Sequence, residues 1–102
     1  MEVKTFTTDI DDFIEELDVV THGKVSKMLD MLEEFENELE MPYSRSLSDG
    51  LFELRIKGKI PVRIFYCFYK NRAILLHIFI KKQAKIPMKE FDLARKRKNI
   101  LA

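Results

Sequence analysis

Arg63 stands inside the apolar run Val62-Arg63-Ile64-Phe65-Tyr66, and an arginine is rarely buried without a partner or an anionic ligand. Lys81-Lys82 close a second apolar run, Ala73 to Ile80, with Lys85 soon after, while Arg55 belongs to the run before. His77 lies between Leu76 and Ile78, and histidine is the side-chain type whose reference pKa lies near neutrality. Fixed cations beside such a group are equipped to bind a phosphate, stabilise charge developing on it and move a proton. Each residue also has a plainer reading: Arg55 in a salt bridge with Glu53 or Glu90, His77 as a satisfied core histidine, the lysines as a solvated charge run. No metal site or cofactor motif competes. His22 and His77 are the only histidines, Cys67 is the one cysteine, and Gly23, Gly50 and Gly58 form no phosphate loop. Nothing orients a Ser/His/Asp triad.

Strands must carry these residues. Leu51 to Lys57 alternates, Gly58-Lys59 turns the chain, and Ile60 to Tyr69 follows as a longer strand with Pro61 near its start. Lys70-Asn71-Arg72 predicts a hairpin turn into a strand from Ala73 to Lys81, and three strands joined this tightly predict an antiparallel meander. Parity then sorts the side chains. One surface takes Phe52, Leu54, Ile56, Val62, Ile64, Tyr66, Phe68, Ile74, Leu76, Ile78 and Ile80. The other takes Glu53, Arg55, Arg63, His77 and Lys81 together with Leu51, Phe65, Cys67, Leu75 and Phe79. A bulge would upset this assignment, and Pro61 is a place for one.

Ahead of the meander, Val3 to Thr7 reads as a short strand, and Ile10, Phe13, Ile14 and Leu17 recur at helical spacing over about 9–18. Val25, Met28, Leu29, Leu32, Phe35 and Leu39 predict a longer helix over about 24–40, stopped at Met41-Pro42. Pro87 opens a C-terminal helix reaching about Asn99, with the basic tail Arg95-Lys96-Arg97-Lys98. The expected fold class is α+β: a short N-terminal strand and a two-helix hairpin packed on an antiparallel meander, with a C-terminal helix. The apolar surface of the meander should meet the two N-terminal helices.

At 102 residues the chain is expected to be one domain, 1–102, and 46% apolar with 34% charged residues excludes intrinsic disorder and fibre. The run Ala73 to Ile80 is far shorter than the roughly 20 residues of a membrane span. With no apolar signal region after Met1 and a lone cysteine, the expected home is a reducing cytoplasm, with no membrane partner. The formal charge of +1 hides an asymmetry: residues 1–42 hold 3 basic and 13 acidic groups, net −10, and residues 43–102 hold 15 basic and 4 acidic, net +11. The basic pole should attract a polyanion or an acidic protein, for which Phe65, Leu75 and Phe79 would supply apolar anchorage.

Leu47-Ser48-Asp49-Gly50-Leu51-Phe52-Glu53-Leu54-Arg55, Val62-Arg63-Ile64-Phe65-Tyr66, Leu75-Leu76-His77-Ile78-Phe79-Ile80-Lys81-Lys82, and Ile86-Pro87 with Ala94-Arg95 resemble, in order and spacing, the RelE/ParE superfamily of type II toxin–antitoxin toxins, in its phage-derived HigB-like group. The resemblance covers about residues 3–98. It implies a RelE-like fold and a ribosome-dependent endoribonuclease (mRNA interferase) that inhibits translation by cutting messenger RNA without a metal. A ribose 2′-hydroxyl would attack the adjacent phosphate to leave a 2′,3′-cyclic phosphate and a free 5′-hydroxyl. On this carry-over Arg63 clamps the scissile phosphate, Lys81 and Lys82 stabilise charge or protonate the leaving oxygen, Arg55 orients, and His77 is a candidate base. Lys57, Lys59, Lys85 and Arg95 would bind the RNA backbone. The strand that carries lysines in RelE toxins here offers Leu51 and Glu53. The implied partners are mRNA on the ribosome and a cognate antitoxin, a small helix-turn-helix protein. ParE-like members inhibit DNA gyrase instead, so a non-enzymatic gyrase inhibitor or phage regulatory binding protein is the alternative.

Overall fold

The computed structural model describes residues 1–101 and contains β1 (Glu2–Thr5), α1 (Thr8–Glu15), α2 (Val19–Phe35), a 3₁₀ turn (Glu36–Glu38), β2 (Ser44–Ser48), β3 (Leu51–Ile56), β4 (Val62–Tyr69), β5 (Arg72–Ile80) and α3 (Met88–Leu101). Two tight turns shape the sheet. Lys70 and Asn71 both take positive φ, 49° and 63°, and so do Asp49 and Gly50, 51° and 77°. That combination joins antiparallel strands while matching their twist. β1 lies parallel to β5, every other pairing is antiparallel, and the order across the sheet is β1-β5-β4-β3-β2.

β2 lies outside the expected three-strand meander. Arg45 and Ser46 are exposed, so no apolar alternation marks the segment, yet edge pairing with β3 needs only its backbone. Buried Ser44 pins it, with Oγ 2.5 Å from the Tyr66 hydroxyl. Burial pushes the Tyr66 phenol above its ordinary pKa, and the bond to Ser44 works against that shift. α2 begins five residues earlier than its apolar period suggests, because the Asp18 carboxylate accepts from the Thr21 amide at 3.2 Å and caps the helix. Gly23 then falls within α2, facing open space. Glu36 leaves helical geometry at φ 54°, and the segment expected to remain helical to about 40 becomes the 3₁₀ turn.

The bulge occurs within β5, away from Pro61. Val62↔Ile80 through Phe65↔His77 keep one register, after which Tyr66 faces Leu75, leaving Leu76 as the extra residue. Parity reverses beyond it. Ala73 and Leu75 therefore join Leu54, Ile56, Val62, Ile64, Tyr66 and Ile78 under α1 and α2, where Ile10, Val25, Met28 and Leu32 meet them. Ile74 and Leu76, expected on that surface, instead join Leu51, Phe65, Cys67 and Phe79 under α3, against Ala94. A terminal nitrogen of Arg97 donates to the Leu76 carbonyl at 2.7 Å, satisfying the backbone at the bulge.

Both sheet faces are thus covered by helices. Phe65, expected as exposed anchorage for a partner, has no exposed area and stacks on Phe91 with centroids 5.0 Å apart. Leu75 is buried on the opposite face and Phe79 beneath α3. None of the three is open to a docking protein. Among the described residues, no helix is long and apolar enough to cross a membrane.

Candidate active site

Strand register brings together charges that lie far apart in the chain. Arg45 of β2 faces Glu53 of β3, and Arg55 of β3 faces Arg63 of β4. By strand parity all four rise on the α3 side of the sheet. Glu53 is buried and lies between two guanidiniums, 3.2 Å from Arg45 and 3.7 Å from Arg63. Arg63 is buried too and donates from Nη1 to its neighbour's carbonyl, Val62 O, at 3.1 Å. Burial pushes the Arg63 guanidinium below its ordinary pKa; Glu53 opposes the shift, while Arg55 and Arg45 add to it. Three arginines around one carboxylate leave an excess of positive charge, and that excess faces a cavity.

The cavity, of about 290 Å³, is lined by Arg45, Glu53, Arg55, Arg63, Lys81 and Lys85, with Phe91 of α3 and Ile86 supplying apolar wall. Lys81 is placed just past β5 by a backbone bond from its amide to Pro61 O at 2.8 Å, which ties the loop after β5 to the start of β4. Phe91 is held by its stack on Phe65 and carries the Arg95 guanidinium 5.7 Å above its ring. A phosphate entering here meets up to five cations. A nucleobase has an aromatic face to lie against.

Of the residues singled out from the sequence, the structure gathers Arg55, Arg63, Lys81 and Lys85 in this cavity. Lys82 lines a neighbouring cavity of about 310 Å³ with Phe13, Phe79 and Lys89, which Lys81 also borders. His77 lines neither, although its partners Glu90 and Phe79 both line the second. Its Nε2 is 3.2 Å from Glu90 Oε1, its ring stacks on Phe79, and it borders a shallow pocket with Asp9, Phe13 and Arg97. Lys57 lines a third cavity, beside Lys24 and Lys27, whereas Lys59 is exposed in the β3–β4 turn and Arg95 leans over Phe91. The open choice of a bridge from Arg55 to Glu53 or Glu90 resolves differently: Arg45 and Arg63 hold Glu53, His77 holds Glu90, and Arg55 reaches Met41 Sδ at 3.8 Å. Among the described residues no three of His, Cys, Asp and Glu gather as a metal-binding group.

Sequence reasoning missed Arg45 and Glu53 as members of the site. Glu53 carried a signal, since it shares strand parity with Arg55, but β2 had to be seen before Arg45 could be placed opposite it. Cys67 shares this face of the sheet but lines no part of the cavity; it is buried, and burial pushes its thiol above the ordinary pKa, which makes it a poor nucleophile.

The family description "Phage derived protein Gp49-like (DUF891)" matches residues 12–99. The chain belongs to this family. The Gp49-like match runs from within α1 nearly to the end of α3 and includes every residue that lines the Arg63 cavity. No curated protein matches the chain.

Proposed function

We propose that this Gp49-like protein is the toxin of a type II toxin–antitoxin module: a RelE-like, HigB-like endoribonuclease that cuts messenger RNA on the ribosome without a metal. The observation that carries the reading is the cavity where buried Glu53 lies among Arg45, Arg55, Arg63, Lys81 and Lys85. The association of the Gp49-like family with RelE-like toxins supports it. An incoming phosphodiester competes with Glu53 for Arg45 and Arg63, and the displaced carboxylate is then free to accept the proton of the ribose 2′-hydroxyl. The 2′-oxygen forms a bond to phosphorus, the bond from phosphorus to the 5′-oxygen breaks, and Lys81 delivers a proton to that leaving oxygen. Arg63 and Arg55 stabilise the charge that builds on the non-bridging oxygens. A cognate antitoxin would neutralise the cationic rim.

Induced expression is expected to arrest growth, with primer extension revealing messages cut to a 2′,3′-cyclic phosphate and a 5′-hydroxyl. Arg63→Ala, checked for folding by thermal denaturation, should abolish both effects. Intact messages during arrest, with supercoiling by purified gyrase inhibited, would replace this reading with the gyrase-inhibitor alternative.

A further inference from the structure

Arg55 borders two cavities: that of Arg63, and a groove of about 340 Å³ between α2 and the end of β3. Met28, Met31 and Tyr43 give the groove an apolar floor, and Lys24, Lys27 and Lys57 rim it. Among the described residues no carboxylate lines it, although α2 belongs to the strongly acidic part of the chain. Only three cations occur in residues 1–42, and two of them, Lys24 and Lys27, are at this groove. The position of Lys24 has a visible cause. A Cβ at Gly58 would come within 2.7 Å of its Nζ and 3.6 Å of its Cδ, so the lysine stem rests on the bare backbone of the β3–β4 turn. Tyr43 is 43% exposed, an aromatic ring left uncovered beside three ammonium groups.

Cations that follow a backbone, with an aromatic face for a base, are the means by which proteins hold single-stranded nucleic acid. The shared Arg55 makes the groove and the cavity neighbouring compartments on one path. We propose that the groove is a subsite for the nucleotide flanking the scissile phosphate of a single-stranded RNA. The base lies against Tyr43 and the two methionines, and the backbone phosphate meets Lys24, Lys27 and Lys57. The proposal rests on the reading that the Arg63 cavity takes RNA. A volume of this size is in the range of small-ligand sites, and the lack of any acidic lining residue suits a polyanion.

Fluorescence anisotropy with labelled 2′-O-methyl oligoribonucleotides, which lack the attacking hydroxyl, tests this on the full chain. The wild type should bind a tetranucleotide more tightly than a dinucleotide. Tyr43→Ala should erase that advantage, a loss of roughly tenfold for one stacked base, with dinucleotide binding unchanged. Lys24→Ala with Lys27→Ala should flatten the dependence of log affinity on log salt by about 0.7 for each phosphate that the lysines no longer neutralise. Gly58→Ala keeps both charges but displaces the Lys24 ammonium, and should give a smaller loss in the same direction. Equal affinity of the wild type for the two lengths, no binding of either, or a tetranucleotide advantage that survives in all three variants would overturn the subsite. So would displacement by an acidic, leucine-bearing peptide that itself requires Tyr43 while the tetranucleotide does not, which would make the groove a protein-docking site. The active-site reading stands or falls separately, on whether Arg63→Ala removes dinucleotide binding and message cleavage.

Discussion

Beneath α1 and α2 the sheet offers Leu54, Ile56, Val62, Ile64 and Ile78; on the α3 side it offers Phe65, Leu76 and Phe79, with Glu53 directly across from Phe65, Arg63 across from Phe79, and Arg55 beside Arg63. The first face is almost entirely apolar, and the buried hydroxyls of Ser44 and Tyr66 there bond each other. The second face ends in a carboxylate shared by two arginines, with a third arginine alongside. Apolar burial favours the fold without regard to direction, whereas a buried ion pair breaks about even against its desolvation and is costly to leave half made. One face is therefore built for stability. The other also holds buried charge in place beside a cavity.

Substitutions can break or sharpen that contrast. The largest effect is expected from Glu53→Ala, which leaves Arg63 buried without its carboxylate: a loss of about 3–5 kcal/mol in chemical denaturation, together with complete loss of message cleavage. Arg63→Ala should cost less stability, since Arg45 stays on Glu53 at 3.2 Å, while removing activity just as fully. A larger destabilisation from Arg63→Ala would mean that the pair supports the fold rather than the chemistry. Leu54→Ala, on the apolar face, should cost about 2–5 kcal/mol with cleavage falling only in proportion to the folded fraction. Ser44→Ala strands the Tyr66 hydroxyl and should cost about 1–3 kcal/mol, much of it recovered when Tyr66→Phe is added, with cleavage unchanged in both.

The smallest effect concerns pH. The Tyr66 phenol is raised above 10.0 and the Cys67 thiol above 9.0 by burial, so both are neutral in the fold under ordinary conditions. A raised pKa contributes stability that is fully present below the unfolded value and is lost as pH rises through the folded one. Denaturation midpoints should therefore hold to about pH 9 and decline above it. In Tyr66→Phe the decline above the phenol's ordinary range should be shallower. An identical alkaline slope in this variant would show that Tyr66 ionises no less readily in the fold than in the unfolded chain.

Much of this architecture was legible in the residues. The meander, the helix over the middle of residues 24–35 and the C-terminal helix all follow from periodicity and turn residues, because each buries one apolar face. The bulge at Leu76 was not legible: Ala73 to Ile80 is apolar on both sides, so no alternation reveals a slip of one residue. β2 escaped notice for the reverse reason, since an exposed edge strand of arginine and serines carries no apolar signal. At the site, Arg55, Arg63, Lys81 and Lys85 were recognisable as charges in or next to apolar strands. The partnership of Glu53 with Arg45 depends on a hairpin that only three-dimensional register discloses. His77 reads as a cleft residue by parity, but α3 brings Glu90 to it and turns it to a different part of the surface.

The parallel pairing of β1 with β5 has a consequence in time. Glu2 pairs with Arg72 and Thr5 with Leu75, so the first strand finds its neighbour only after some 70 further residues have been made. At about 5–20 residues per second of synthesis, that is a wait of several seconds. The cavity closes later still, because Lys81, Lys85 and Phe91 follow β5 in the chain. A growing polypeptide of this sequence thus carries Arg63 well before it carries the wall that closes the cavity around it. If the protein acts on ribosomes, the one that makes it is spared a finished site until Phe91 has been added.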